Sequence, residues 1–231
     1  MKKIKLSVII PVYNEEKTVK EIVQRVMAVN VPKEIIIVDD YSSDKTREIL
    51  KELKNNKIKI ILQDKNYGKG YAIRTGLNYA TGDIVIIQDA DREYDPEDYP
   101  KLIKPIVEGK TKVVYGTRFP KGCKTPSIFT NKFFLANRVL TWASNLLYNA
   151  HITDEPTCYK VFASEVIKNL NLKCERFEFC PEVTAKVRKS GNEILEVPIS
   201  YHPRNEDEGK KIKWKDGLEA IWTLIKYRFV N

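Results

Sequence analysis

A chain of 231 residues with 42% hydrophobic and 31% charged side chains is long enough to bury one substantial core and has an ordinary soluble composition. Its formal net charge of +9 points to an anionic partner: nucleic acid, acidic lipid headgroups or a phosphorylated substrate. Acids and bases alternate through most of the sequence and no nucleic-acid motif accompanies them, so nucleic acid is set aside.

The first strand is predicted over Leu6-Ser7-Val8-Ile9-Ile10-Pro11, with Pro11 stopping it. Residues 15–29 follow as a helix, with Val19, Ile22, Val23, Val26 and Met27 on one face. The second strand is 34–39, after which Ser42 and Ser43 are placed to cap a helix over 44–53. A third strand over 58–62 leads to a helix over 68–80 with Gly82 beyond its end. The fourth strand begins at Ile84 and its apolar run ends in Gln88-Asp89-Ala90-Asp91-Arg92. A helix over 96–107, with proline early in it, and a fifth strand over 113–116 complete the first half.

Strand and helix alternate, which predicts an α/β fold with a mostly parallel sheet flanked by helices. Ligands in such sheets bind beyond the carboxyl ends of the strands. Those ends carry Tyr13, Asn14 and Glu15; Asp39 and Asp40; Asp64, Asn66 and Gly68-Lys69-Gly70; Asp89 and Asp91; and Arg118. Five successive ends with polar, ligand-competent groups make this edge the candidate site.

The second half differs. Residues 127–150 carry Phe129, Phe133, Phe134, Leu135, Val139, Leu140 and Trp142, interrupted by Lys132 and Arg138, as one or two amphipathic helices. A short strand over 157–162, a helix over 178–189 ended by Gly191, a strand over 193–199 and a last helix over 214–227 follow. No clean boundary divides the chain, so 1–231 is taken as one domain whose role changes near 118–126.

Four cysteines without a Cys-x-x-Cys pair, and only two histidines, offer no zinc site, so free thiols in a reducing compartment are expected. No apolar signal region follows Met1-Lys2-Lys3, and the longest uncharged run, 139–153, is too short for a membrane span. No Gly-x-Ser-x-Gly elbow supports a hydrolytic triad.

Asp89 and Asp91 share a face on a continuing strand or converge on one cation in a turn; Mg²⁺ and Mn²⁺ favour such oxygen ligands with substrate phosphates. The plain alternative is a polar exit from the strand. Gly68-Lys69-Gly70 suits either a phosphate at a helix start or a close-packed helix entry. Tyr13 and Asp39 suit a nucleoside or are plain turn residues, and Arg118 suits a phosphate or is an ordinary exposed arginine. Arg204, Lys210, Lys211, Lys213 and Lys215 form a basic segment or a solvated face.

Taken together, Val8-Ile9-Ile10-Pro11-Val12-Tyr13-Asn14-Glu15-Glu16, Val38-Asp39-Asp40 with Asp44 and Thr46, Asn66-x-Gly68-Lys69-Gly70-x-Ala72 and Asp89-Ala90-Asp91 resemble the family 2 glycosyltransferases. Gly116-Thr117-Arg118, Asp154 with Thr157-Cys158-Tyr159-Lys160-Val161-Phe162, and Glu196-Val197-Pro198-Ile199-x-Tyr201-x-x-Arg204 resemble the dolichyl-phosphate mannose or glucose synthase branch. The resemblance implies a GT-A fold, an inverting reaction and a Mg²⁺ or Mn²⁺ cofactor. Residues 1–117 would then be the nucleotide-sugar half and 118–231, with its C-terminal helices, the acceptor side.

It also implies roles. Tyr13, Glu15 and Asp39 would hold the nucleoside, with Pro11, Asp40, Lys69 and Asp89 in the same donor site. Asp91 would be the main metal ligand, with Asp89 and Glu93 beside it. Arg118 and Arg204 would meet phosphates, and Asp154 would lie near the acceptor. Tyr41 departs from the glycine usual in the family after the aspartate pair, and Glu208-Gly209-Lys210-Lys211 departs from its Gly-Ser-Lys.

The expected reaction is transfer of mannose or glucose from a nucleoside-diphosphate sugar such as GDP-mannose to a polyprenyl phosphate. It would occur peripherally, on the cytoplasmic face of an anionic membrane. Transfer to a sugar or protein hydroxyl, and a non-catalytic sugar-nucleotide or membrane-binding module, are the alternatives. Guanine or uracil as the base, and the oligomeric state, stay open.

Overall fold

The computed structural model describes residues 4–53, 55–119, 132–203 and 214–230. Phe129, Arg204, Lys210, Lys211 and Lys213 lie outside them, as do the side chains of Lys132 and Phe133. The strands are β1 (Leu6–Val12), β2 (Lys33–Asp39), β3 (Ile58–Leu62), β4 (Ile84–Ile87), β5 (Val113–Thr117), β6 (Lys160–Ala163) and β7 (Ile194–Pro198). They form one sheet in the order β3-β2-β1-β4-β6-β5-β7.

Strands β1 to β4 are mutually parallel and β7 is parallel to β5, while β6 runs antiparallel between β4 and β5. All of β1 and β4 is buried, which explains their unbroken Ile and Val content: helices cover both faces. The expected strand over 157–162 begins only at Lys160, because residues 149–159 descend over the carboxyl edge before pairing.

The helices are α1 (Val19–Ala28), α2 (Thr46–Glu52), α3 (Lys69–Tyr79), α4 (Tyr99–Val107), α5 (Lys132–Tyr148), α6 (Ser164–Asn169), α7 (Phe179–Lys189) and α8 (Trp214–Phe229). In α1 the buried residues are Val19, Ile22, Val23 and Val26, the stripe the sequence predicts. It starts later than expected, since a turn at 15–18 sends the Thr18 and Val19 N–H groups to the Glu15 carbonyl. The six-residue α6 carries too little periodicity to be found from sequence.

Pro11 does not stop β1; it lies inside it, paired in register with Val38. The Gln88 N–H donates to the Ile9 carbonyl, so alternate residues 9 and 11 face the β4 side, and β4 has ended at Ile87. No ladder bond needs the N–H that proline lacks. Ser42 and Ser43 do not cap α2 either. The Ser42 hydroxyl accepts from Asn14 N–H, and Thr46 N–H goes to Asp44 Oδ1.

The amino-terminal edge of the sheet is closed by Glu34, at the start of β2. Its carboxylate accepts from Lys5 Nζ (2.6 Å), Ser7 Oγ (2.6 Å), Thr81 N–H (2.6 Å) and Gly82 N–H (3.1 Å). Burial alone would raise this carboxyl, but donors from Lys5, Ser7 and Thr81 outweigh it and hold its pKa down at about 2. Gly82 is required by close approach: a Cβ there would meet Ser7 Oγ at 2.6 Å and Lys5 O at 2.7 Å.

Candidate functional site

The opposite, carboxyl-terminal edge gathers the polar groups. Asp39 ends β2 and is fully buried. Its Oδ2 accepts from Arg47 Nε (2.7 Å) and Ser42 N–H (3.2 Å), while its Oδ1 has no hydrogen-bond partner. An unsatisfied buried oxygen costs about 1–3 kcal/mol. Arg47 also donates through Nη2 to the Gln63 carbonyl at the end of β3. Sequence reasoning missed Arg47, although a signal existed: a cation in the first turn of a helix opposes the helix dipole and needs a partner.

Asn14 (φ 50°) and Tyr41 (φ 63°), at the ends of β1 and β2, have left-handed backbone. Asparagine tolerates that region; for tyrosine it costs about 1–2 kcal/mol. Tyr41 therefore adopts the left-handed backbone that a glycine would take without that cost. Tyr41 is half exposed, with the Arg47 guanidinium 5.0 Å from its ring centroid. Tyr13 is exposed at the end of β1, and Pro11 is buried behind it. The Glu15 N–H donates to Thr46 Oγ1 and its carboxylate accepts from Thr18, tying this turn to α2.

Asp40 turns inward instead. Its two oxygens accept from Tyr67 and Gly68 N–H, each at 2.8 Å, so it tethers the entry to α3. Burial raises its pKa, against those same hydrogen bonds. The Gly70 and Tyr71 N–H groups donate to the carbonyls of Arg176 and Glu175. These bonds decide between the two expectations for Gly68-Lys69-Gly70: it is a close-packed helix entry, and a Cβ on Gly68 (φ 99°) would meet Glu175 O at 2.4 Å.

Lys69 itself reaches the site, its Nζ 2.5 Å from Asp89 Oδ1. Burial pulls its pKa down, but the Asp89 charge outweighs burial and raises it, so the ammonium stays charged. Asp91 Oδ1 accepts from the Glu93 N–H in the turn after β4. Among the described residues no three His, Cys, Asp or Glu side chains converge as a metal cluster. Glu93 lies near enough to Tyr201 for its charge to help burial raise that tyrosine's pKa. The hard oxygens of Asp89 and Asp91 fit a divalent ion that takes its remaining ligands from substrate phosphates and water.

On the acceptor side, Arg118 at the end of β5 grips Asp154. Oδ2 takes the Arg118 N–H (3.0 Å) and Nε (2.8 Å), and Oδ1 takes Nη2 (2.8 Å). The carboxylate is fully buried and the guanidinium nearly so. Burial disfavours the charged guanidinium, but Asp154 more than offsets it and drives its pKa well up. The Tyr201 ring lies 4.9 Å from the guanidinium, and Glu196 accepts from the Asp154 and Thr153 N–H groups.

Glu155, behind this pair, was not expected. It is fully buried, with Oε1 accepting from Thr184 Oγ1 at 2.9 Å and Oε2 unpartnered. Burial pushes its pKa up to about 7 against the charge of Lys160.

Two neighbouring helices present an apolar surface outward. Exposed on α5 are Leu135, Val139, Trp142 and Leu146; on α8, Leu218, Trp222, Ile225 and Phe229. The helices bury Leu140, Ala143, Tyr148, Ala220, Leu224 and Tyr227 in a small second core with α7. Phe134 packs edge-on against Phe119 at 5.4 Å. No helix among the described residues is long and apolar enough to cross a membrane.

Known proteins share this framework. The family model described as glycosyl transferase family 2 matches residues 7–170. A dolichol-phosphate mannosyltransferase of Pyrococcus furiosus is 31% identical over 230 residues, covering 96% of this chain and 64% of that protein. A UDP-N-acetylglucosamine–dolichyl-phosphate N-acetylglucosaminyltransferase of Methanococcus voltae is 35% identical, covering 83% of each. The chain thus spans slightly under two thirds of the first relative. The crystal structure of glucosyl-3-phosphoglycerate synthase from Mycobacterium tuberculosis with Mn²⁺, UDP and phosphoglyceric acid superposes with a TM-score of 0.71 at 18% identity, covering 99% of this chain and 80% of that one. The mostly parallel sheet is that of the GT-A glycosyltransferases.

Proposed function

The chain belongs to glycosyl transferase family 2, and from that premise we propose that it transfers a hexose from a nucleoside-diphosphate sugar to a polyprenyl phosphate. The relatives named for dolichyl phosphate support the acceptor class. The observation that carries it is the buried Arg118–Asp154 fork. A hydroxyl acceptor needs a group to take its proton, whereas both oxygens of Asp154 already accept from Arg118. A phosphate monoester arrives largely ionised, with a second pKa of about 6, and needs a positioned cation instead. Asp154 holds that cation in place.

On the donor side, Asp39 would accept from the base and Lys69 would meet the diphosphate. A divalent ion held by Asp91 and Asp89 would supply positive charge to the leaving diphosphate. The acceptor oxygen attacks from the face opposite the departing nucleotide, so the anomeric configuration inverts. Arg118, over Tyr201, would orient that oxygen.

The Trp142 and Trp222 face, with Arg138, Lys215, Lys226 and Arg228 on the same two helices, supports a peripheral seat on an anionic membrane. The reading is tested by supplying GDP- and UDP-hexoses with Mn²⁺ and either a short polyprenyl phosphate or the matching polyprenol. Glycosylated phosphate, with none from the alcohol, is the expected result. Product from the alcohol alone would overturn it.

A further inference from the structure

We infer that Glu196, acting through the backbone and two hydroxyls, is the positioning residue that holds Arg118 and Asp154 in place for the acceptor. The inference rests on the acceptor reading above and goes beyond it. Glu196 lies on β7, the outermost strand of the sheet, paired in register with Tyr115 of β5. An acid on an edge strand is ordinarily turned to water. This one is half-buried and takes three donors from two adjacent residues. Oε1 accepts from Thr153 N–H at 2.8 Å and Asp154 N–H at 3.1 Å, and Oε2 accepts from the Thr153 hydroxyl at 2.8 Å.

The hydroxyl bond extends this hold to the other half of the pair. A threonine hydroxyl has one proton to give. Thr153 gives its proton to Glu196, so in the 2.7 Å contact between Thr153 and Thr117 it is Thr117 that donates. Thr117 in turn accepts from the Phe119 N–H at 3.0 Å. Donors therefore run one way, from Phe119 through Thr117 and Thr153 to the Glu196 carboxylate. Arg118 is enclosed between Thr117 and Phe119, and its N–H, Nε and Nη2 all end on Asp154. One carboxylate thus fixes the backbone on both sides of the fork.

The direction of the chain decides what an isosteric change does. Glu196→Gln keeps the length and one oxygen for the two N–H groups, but sets an amide nitrogen, a donor only, against the Thr153 hydroxyl. The relay must then reverse, and the proton of the buried Thr117 loses its acceptor. The surrounding fold has ties of its own. Asn145 holds Ile152 through both its N–H (2.9 Å) and its carbonyl (2.8 Å), and the Ile199 N–H holds the Thr117 carbonyl at 3.1 Å. What loosens is the placement of residues 117–119 against 153–154, which is the placement of the guanidinium.

Steady-state kinetics with a GDP- or UDP-hexose and a short polyprenyl phosphate, beside isothermal titration of UDP and GDP with Mn²⁺, tests the inference. Glu196→Gln is expected to lower acceptor kcat/KM about tenfold, mainly through KM, with nucleotide affinity within about twofold of wild type and Tm within a few degrees. Thr153→Val breaks the same relay at its middle and is expected to cost about as much, with the double variant no worse than the more impaired single one. Unchanged acceptor kcat/KM in Glu196→Gln, or losses that multiply in the double variant, would overturn the inference and leave the acceptor reading standing. Nucleotide affinity and Tm falling in step with acceptor kcat/KM would make Glu196 a tie for the whole fold and overturn it too. A wild type inactive on polyprenyl phosphate, whatever it does with polyprenol, would overturn the acceptor reading and this inference with it.

Discussion

The two ends of the one sheet are built from the same strands and are finished in opposite ways. At the amino-terminal edge every oxygen of Glu34 is used, by Lys5, Ser7, Thr81 and Gly82. At the carboxyl-terminal edge Asp39 Oδ1 is unpaired, Tyr41 is strained, and Glu155 sits behind the acceptor pair with an unpartnered oxygen. Satisfied bonds at one edge stabilise the fold; at the other, unpaired buried oxygens of Asp39 and Glu155 cost stability. Violations of local rules mark the site.

The sharpest way to separate the edges is to cut each. Glu34→Ala leaves several donors without their acceptor and should lower unfolding free energy by about 3 kcal/mol, with nucleotide affinity unchanged. Urea denaturation with parallel calorimetry checks both parts. The pH dependence follows from its depressed pKa of about 2. The contribution is present above the unfolded pKa near 4.5 and is lost as pH falls through 2, so the variant's acid limb should be flatter.

Asp91→Ala cuts the other edge. Removing it should reduce Mn²⁺-dependent nucleotide affinity about 100-fold, roughly 2.7 kcal/mol, while Tm stays within a few degrees. Equal donor affinity with and without Mn²⁺ in the wild type would contradict the metal assignment.

Glu155 supplies a pH effect of the opposite sign to Glu34. With its pKa raised to about 7, the folded state binds a proton that the unfolded state releases near 4.5. Its contribution is complete below 4.5 and is lost as pH rises through 7. Glu155→Gln should therefore gain about 2 kcal/mol on the wild type between pH 5 and 8, measured by denaturation across that range. A parallel pair of curves would contradict the buried neutral carboxyl.

The smallest effect concerns the apolar face. Trp142→Glu with Trp222→Glu should cut sedimentation with anionic liposomes about tenfold, close to 1.4 kcal/mol, and leave nucleotide binding intact. Binding indifferent to lipid charge and to salt would argue against a membrane seat.

Much of the framework was legible because burial on both faces writes itself into sequence. The Ile and Val runs of β1, β2 and β4 declare buried strands, and the carboxylates after them declare which edge is polar. The antiparallel β6 was hidden, since direction is set by the route of residues 149–159 and not by local composition. Glu155 was hidden for another reason: its partner Thr184 is distant in sequence, whereas Arg47 was overlooked despite its unfavourable place in the first turn of α2. Asp40 was misleading because adjacent aspartates look alike, although Asp39 keeps an unpaired oxygen and Asp40 ties down α3. The outward face of α8 needed knowledge of which side packs on α5 and α7.

The central claim is that this edge serves an acceptor already ionised, with Asp154 positioning Arg118 and not removing a proton. Its direct test is the pH–rate profile of wild type and Asp154→Asn with a short-chain polyprenyl phosphate. The account predicts a fall in kcat/KM in the variant with the same limbs as wild type, because only the grip on Arg118 is weakened. A limb present in wild type and absent in Asp154→Asn would contradict it.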